Sequence, residues 1–344
     1  ADHPGDILEY AWDHPQVRPM DRAIPHFVAL PTTAGTGSEV GRSSVISDDV
    51  THVKKIIFSP LLLAKAVFAD PELTLDLPSL ITAATGMDAL THNVESYLSP
   101  AYHPLCDGIA LEGARIAARA LPLAVREPGN LQARSDMLMS SMMGAIAFQK
   151  DLGAVHSCAH ALGTVADMHH GLANAVMIDH VMRFNLPAAT DKMAELGRVC
   201  GATTHTGETG AMAFIDWLTR LKAELGIPAK LGALKVTPEH LPRLVDIALA
   251  DGCHATNPRP CRAWPPKNSA VGWFCWNSSI ARLSSSSSTR CGGALTGRRT
   301  KPLAGSNWQS CGTISVEMKP GWRVAAAIAS DKSLPSFSAE RLRR

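Results

Sequence analysis

From about residue 78 onward the sequence places apolar residues three and four apart, which restricts the region to helices that bury one face. The spacing predicts helices over Ser79–Leu98, Cys106–Val125, Leu131–Phe148, Ala154–Ala166, Leu172–Phe184, Glu208–Leu225 and Pro238–Ala250. The second and third are alanine-rich and amphipathic, and Met137–Met143 reads as core packing. Thr237-Pro238-Glu239 is a helix-start signal for the last. Short loops join these segments, so the region reads as a helix bundle.

Residues 27–70 follow a different pattern. Phe27–Leu30 reads as a short apolar strand running into Pro31–Glu39, a loop of small and hydroxyl residues. Ser44–Ser47 and Val53–Phe58 flank a polar turn and read as a hairpin, and Lys65–Ala69 as a last strand. A second change falls near residue 260. Residues 1–260 hold 20 Lys and Arg against 28 Asp and Glu, a net of −8, whereas residues 261–344 hold 13 against three, a net of +10. All 14 histidines precede residue 255, five of the seven tryptophans follow it, and the tail contains a run of five serines. The expected division is therefore 1–75, a β-rich unit; 76–260, a helical unit; and 261–344, a basic tail without sustained periodicity.

The overall charge of +2 is too small to imply nucleic acid or a membrane surface as a partner. No apolar run is long enough to span a bilayer, and no charged-then-apolar leader opens the chain. Eight cysteines without a CxxC pair do not form a disulfide framework in 344 residues, and a reducing cytoplasm is the default expectation. The chain begins with Ala, which leaves a fragment or processed product open.

Asp88 and His92 lie four apart on one predicted helix, so both heads point to one face. His156 and His160 repeat the spacing on a later helix, and His170 follows beside His169 and before Gly171, where a helix start turns its side chain inward. A carboxylate with several imidazoles is a ligand set for a divalent transition metal such as Fe²⁺ or Zn²⁺. No nearby cysteine pair suggests a closed structural zinc site. Spacing alone leaves two readings open, ligands or ordinary core and surface histidines. His103, His180, His205 and His240 have no such company and take the ordinary reading. Thr32, Thr33, Gly35, Thr36 and Gly37 suit phosphate or ribose binding through hydroxyls and backbone N–H groups. The loop is neither GxGxxG nor GxxxxGK[ST], so the standard nucleotide fingerprints do not apply.

Taken together, Leu30–Val40 (LPTTAGTGSEV), Ala84–Leu98 (ATGMDALTHNVESYL), Gly153–Thr164 (GAVHSCAHALGT), His170–Met177 (HGLANAVM) and Asp251–Pro260 (DGCHATNPRP) closely resemble the iron-containing (group III) alcohol dehydrogenase family. The resemblance covers roughly residues 5–260. It implies an α/β dinucleotide-binding domain followed by an all-helical metal-binding domain, in the dehydroquinate synthase-like arrangement, here with the α/β domain reduced to a remnant. It implies Asp88, His92, His156 and His170 as metal ligands, with His160 facing the site without ligating. Thr32, Thr33 and Thr36 match the cofactor loop, and Lys54 and Leu73 fall near positions that line NAD(P). The family is typically a cytoplasmic dimer or larger homo-oligomer.

Two departures accompany the resemblance. The family's first hundred or so residues, including a GGGS-type pyrophosphate loop, are absent from the sequence given. Beyond Asn257-Pro-Arg-Pro260 the family's short acidic helix is replaced by the basic tail, which is expected to be disordered or read from a shifted frame. The expected reaction interconverts an alcohol and its aldehyde or ketone with NAD(P). His160 either relays the proton or steadies His156. The rival expectations are a polyol dehydrogenase or maleylacetate-type reductase of the same fold, a metal hydrolase, for which no HExxH is present, and a non-catalytic metal-binding fragment.

Overall fold

The computed structural model describes residues 3–51 and 54–261, together with the backbone of Ile314–Met318 and Trp322–Ala326. Its first part is a small β region. Strand β1 (Val28–Ala29) pairs parallel with β4 (Ala66–Phe68), Val28 opposite Ala66. Strands β2 (Ser43–Ser47) and β3 (Lys54–Phe58) form the antiparallel hairpin, Ser43 opposite Phe58 and Ser47 opposite Lys54.

Among the described residues seven α-helices follow: α1 (Ser79–Leu98), α2 (Pro104–Arg126), α3 (Leu131–Ala147), α4 (Ala154–Ala166), α5 (His170–Val199), α6 (Gly207–Glu224) and α7 (Leu241–Ala250). The α/β remnant followed by an all-helical unit is thus the observed architecture. The expectation of a disordered or frame-shifted tail lies outside the described residues, apart from two five-residue strands. There β5 (Ile314–Met318) runs parallel to β4 and antiparallel to β6 (Trp322–Ala326).

Helix α1 is the centre of the bundle. Sixteen of its 20 residues are buried, so it has no water-facing side and packs against α2, α3 and α5. Met87 and Leu90 of α1, with Leu121, Leu138, Leu162, Met177 and Phe214 of the other helices, are all fully buried. Each contributes about 1.5–3 kcal/mol on leaving water. A helix buried all round also buries its polar residues, and α1 takes Asp88, His92, Asn93 and Glu95 inside. Buried charges persist only when paired or when they coordinate a cation.

The expected helix ending at Phe184 is a correction. The helix begun at His170 runs on past Phe184 through Pro187 to a kink at Ala189, and a second helical segment follows to Val199. The two segments meet within α5 where Ala189 leaves helical geometry, with φ −140 and ψ 24, two residues after the proline.

Candidate metal centre

Three imidazoles, one each from α1, α4 and α5, converge on one carboxylate oxygen of α1. Asp88 Oδ1 lies 4.0 Å from His92 Nε2, 3.7 Å from His156 Nε2 and 3.5 Å from His170 Nε2. Asp88 and His92 come from one face of α1, His156 from the first turn of α4, and His170 from the first residue of α5. The His92 and His156 rings stack with centroids 4.6 Å apart.

The first residues of α5 reach α1 because residue 171 has no side chain. A Cβ on Gly171 would lie 2.3 Å from the Ala84 carbonyl oxygen. His169 caps this helix end, accepting from the Leu172 N–H at 3.4 Å.

The donor set fits a divalent transition metal. Ligands about 2.1 Å from a tetrahedral ion stand about 3.4 Å from one another, close to the separation of each imidazole from Asp88 Oδ1, and the donor atoms of Asp88, His92 and His156 all lie within 4.8 Å of one another. The Asn174 amide, one turn after His170, lies among the same atoms. It donates to Asp88 Oδ1 at 2.7 Å and sits 3.2 Å from both His156 Nε2 and His170 Nε2.

Electrostatics sort these groups. Burial opposes ionisation of Asp88, but the imidazoles around it outweigh burial and hold its carboxyl well below the usual range. Burial pulls His92 down to about 4 and His170 down to about 3, each only partly offset by Asp88. Both imidazoles are therefore neutral at pH 7, with lone pairs available. His156 goes the other way. Burial lowers it, but hydrogen bonds to Asp88 and Glu95 prevail and raise it to about 9.

Glu95 was not singled out from the sequence. Its Oε2 lies 2.6 Å from His156 Nδ1, and its two oxygens accept from the N–H groups of Val155 (2.7 Å) and His156 (3.3 Å). One carboxylate thus orients the His156 ring and caps the start of α4, whose own Ncap, Gly153, has no side chain to do so. Asn257 assists, accepting from the Ala154 N–H at 3.2 Å and pairing with the Asn185 amide at 3.0 and 2.7 Å. A signal for the missed groups existed. Glu95 is three residues after His92, and Asn174 four after His170, so each shares a helix face with a histidine of the cluster.

His160 stands beside the cluster, its ring stacked on His170 at 5.3 Å. Its Nδ1 faces Asp251 Oδ2 at 2.8 Å, while Asp251 Oδ1 accepts from Ser157 Oγ (2.8 Å) and the Cys253 N–H (2.9 Å). Burial works against the Asp251 carboxylate, but the hydrogen bond and charge of His160 lead the effects that hold it well below the usual range.

The loop residues divide. Thr32, Thr33 and Thr36 are exposed, and Gly35 is buried with its backbone against His92. Gly37 has φ +65 and comes so close to α3 that a Cβ would lie 2.5 Å from the Ser141 carbonyl oxygen, so the loop is pinned to the bundle. Lys54 Nζ reaches α4 at Gly163 and acts on the charge of His170. Leu73 is 43% exposed, on the short turn Pro71–Thr74 that packs on α3. His103 and His240 serve as helix-start caps, away from the cluster.

Comparison with known proteins bears on this arrangement. Residues 82–263 match the Fe-containing alcohol dehydrogenase family, C-terminal, and residues 2–71 match iron-containing alcohol dehydrogenase. The chain is 41% identical over 262 residues to 1,3-propanediol dehydrogenase of Citrobacter freundii, covering 75% of this chain and 67% of that protein. It is 41% identical over 274 residues to 4-hydroxybutyrate dehydrogenase of Cupriavidus necator, covering 76% and 69%. Among solved structures, an alcohol dehydrogenase from Oenococcus oeni superposes with a TM-score of 0.72 at 32% identity, covering 80% of this chain and 70% of that one. The sulfoacetaldehyde reductase of Bifidobacterium kashiwanohense, solved in complex with NAD⁺, gives a TM-score of 0.65 at 32% identity, covering 76% and 67%.

Proposed function

Because the chain belongs to the iron-containing alcohol dehydrogenase family, we propose that Asp88, His92, His156 and His170 hold a divalent transition metal, Fe²⁺ or Zn²⁺, at which an alcohol and its aldehyde or ketone are interconverted with NAD(P). The observation that carries the reading is the set of three imidazole Nε2 atoms within 4.0 Å of the ionised Asp88 Oδ1. When bound, the metal supplies Lewis acidity that acidifies a hydroxyl, and the nicotinamide accepts hydride.

The chain's own residues supply the rest. Asp88 contributes one negative charge against two positive, which leaves net positive charge for a developing oxyanion. Glu95 keeps the His156 Nδ1 proton and so directs Nε2 to the centre. Asp251 does the same for His160 at Nδ1, leaving its Nε2 to take the proton that the substrate hydroxyl gives up. The exposed hydroxyls of Thr32, Thr33 and Thr36, the Gly35 backbone, Lys54 and Leu73 form the cofactor face of the site.

His156→Ala is the direct test. Metal content and alcohol oxidation should be lost together, with helical circular dichroism retained; full metal loading in the variant would overturn the ligand set. The two relatives at 41% identity are named for 1,3-propanediol and 4-hydroxybutyrate, so an alcohol panel begins with short primary alcohols bearing a second oxygen function. NADH fluorescence titration separates an enzyme from a protein that binds metal alone.

A further inference from the structure

Beside the Asp88 centre lies a second cluster with different donor chemistry. The ligand atoms of His160, Asp251 and Cys253 all lie within 4.8 Å of one another. His160 projects from α4, and Asp251 and Cys253 open the turn that follows α7. The cluster offers one imidazole nitrogen, one carboxylate oxygen and one thiol. Tetrahedral, borderline-soft zinc chemistry selects such a mixed set, whereas hard cations take oxygen alone. The Asp88 centre has no sulfur.

The cluster is also held by hydrogen bonds before any ion arrives. Ser157 and the Cys253 backbone fix one Asp251 oxygen, and His160 faces the other at 2.8 Å. An ionised Asp251 with a Cys253 thiolate balances the charge of a divalent ion. Burial and the nearby Asp251 carboxylate keep the thiol protonated in the absence of a cation, so a cation has to displace that proton.

We propose that His160, Asp251 and Cys253 form a second, inhibitory site for a thiophilic divalent cation of the zinc class, next to the Asp88 centre. On binding, the Cys253 S–H bond breaks, its proton leaves to solvent and a sulfur–metal bond forms. The ion takes His160 at the nitrogen that faces Asp251, and the proton on that nitrogen is carried on Nε2 instead. His160 then presents a donor, not an acceptor, to the Asp88 centre. Binding at the site stands on the cluster alone; the inhibition rests on the proton-accepting role assigned to His160 above.

Cobalt titration of the metal-free chain tests binding. The first site gives only ligand-field bands. Occupation of the second adds a near-ultraviolet thiolate-to-cobalt charge-transfer band, lost in Cys253→Ser and Cys253→Ala and retained in His156→Ala. Two replacements, each checked by circular dichroism, guard against one that fails to fold. Absence of the band in the unmodified chain, or its persistence in both Cys253 variants, overturns the site. Zinc beyond the first equivalent should lower alcohol oxidation by about a hundredfold, the contribution of a general base. A charge-transfer band without that inhibition leaves the site standing and overturns the role given to His160.

Discussion

Glu95 Oε2 sits 2.6 Å from His156 Nδ1, and the same carboxylate accepts both N–H groups of the Val155–His156 segment. Orientation of the ring and the start of its helix therefore depend on one side chain. Glu95→Gln keeps the size but removes the charge. Metal affinity should fall about 10- to 100-fold, as when other carboxylates behind metal-bound histidines are lost. A lower Tm should accompany it. Competition with a chromophoric chelator measures the first, and unchanged affinity would show that Glu95 serves the helix only.

Metal uptake should depend on pH through His156. Its folded pKa is raised to about 9, so in the metal-free chain its stabilising contribution is complete below about 6.5 and is lost as pH rises through about 9. His92 and His170, lowered to about 4 and about 3, are already neutral across that window. Coordination then displaces one proton, and apparent affinity should rise roughly tenfold per pH unit between about 6.5 and 9. Calorimetry in buffers of differing ionisation enthalpy should read close to one proton released per metal; zero would contradict the assignment.

Asp251→Asn should act on catalysis more than on substrate binding. Asparagine no longer favours the Nδ1–H form of His160, so kcat should drop about 10- to 100-fold with little change in KM. The limb of the kcat/KM pH profile that reports the base should shift or disappear. An unaltered profile with a lower Tm would reduce Asp251 to a structural part.

Gly171→Ala tests how the third helix is brought to the centre. A methyl 2.3 Å from the Ala84 carbonyl forces α5 away from α1 and takes His170 with it. Stability should fall by about 1–3 kcal/mol, the usual cost of overpacking, together with weaker metal retention. Thermal melts with and without added metal separate the two effects.

The bundle was legible from helical periodicity because long, strongly patterned segments declare themselves. Ser79–Leu98 and Ala154–Ala166 coincide with α1 and α4. Asp88 with His92 was legible as a pair because one helix fixes their relation. Their meeting with His156 and His170 was not, since spacing within one helix says nothing of how three helices cross; only the family resemblance implied it. Glu95 and Asn257 escaped for a different reason. Glu95 looks like an ordinary helix residue until the uncapped start of α4 is set against it. The second segment of α5, beyond the kink at Ala189, escaped because a proline interrupts the helical pattern that would announce it.

The borrowed cap on α4 has a consequence for how the molecule is made. Thirteen residues form a helix only marginally on their own, and the groups that secure this one lie 60 residues before it and about 100 after it. As the chain leaves the ribosome, the two N-terminal contributors to the centre, Asp88 and His92, emerge early. The start of α4 gains its last cap only when Asn257 is in place. The helix that carries His156 is thus a product of tertiary closure, not a local unit that forms ahead of it.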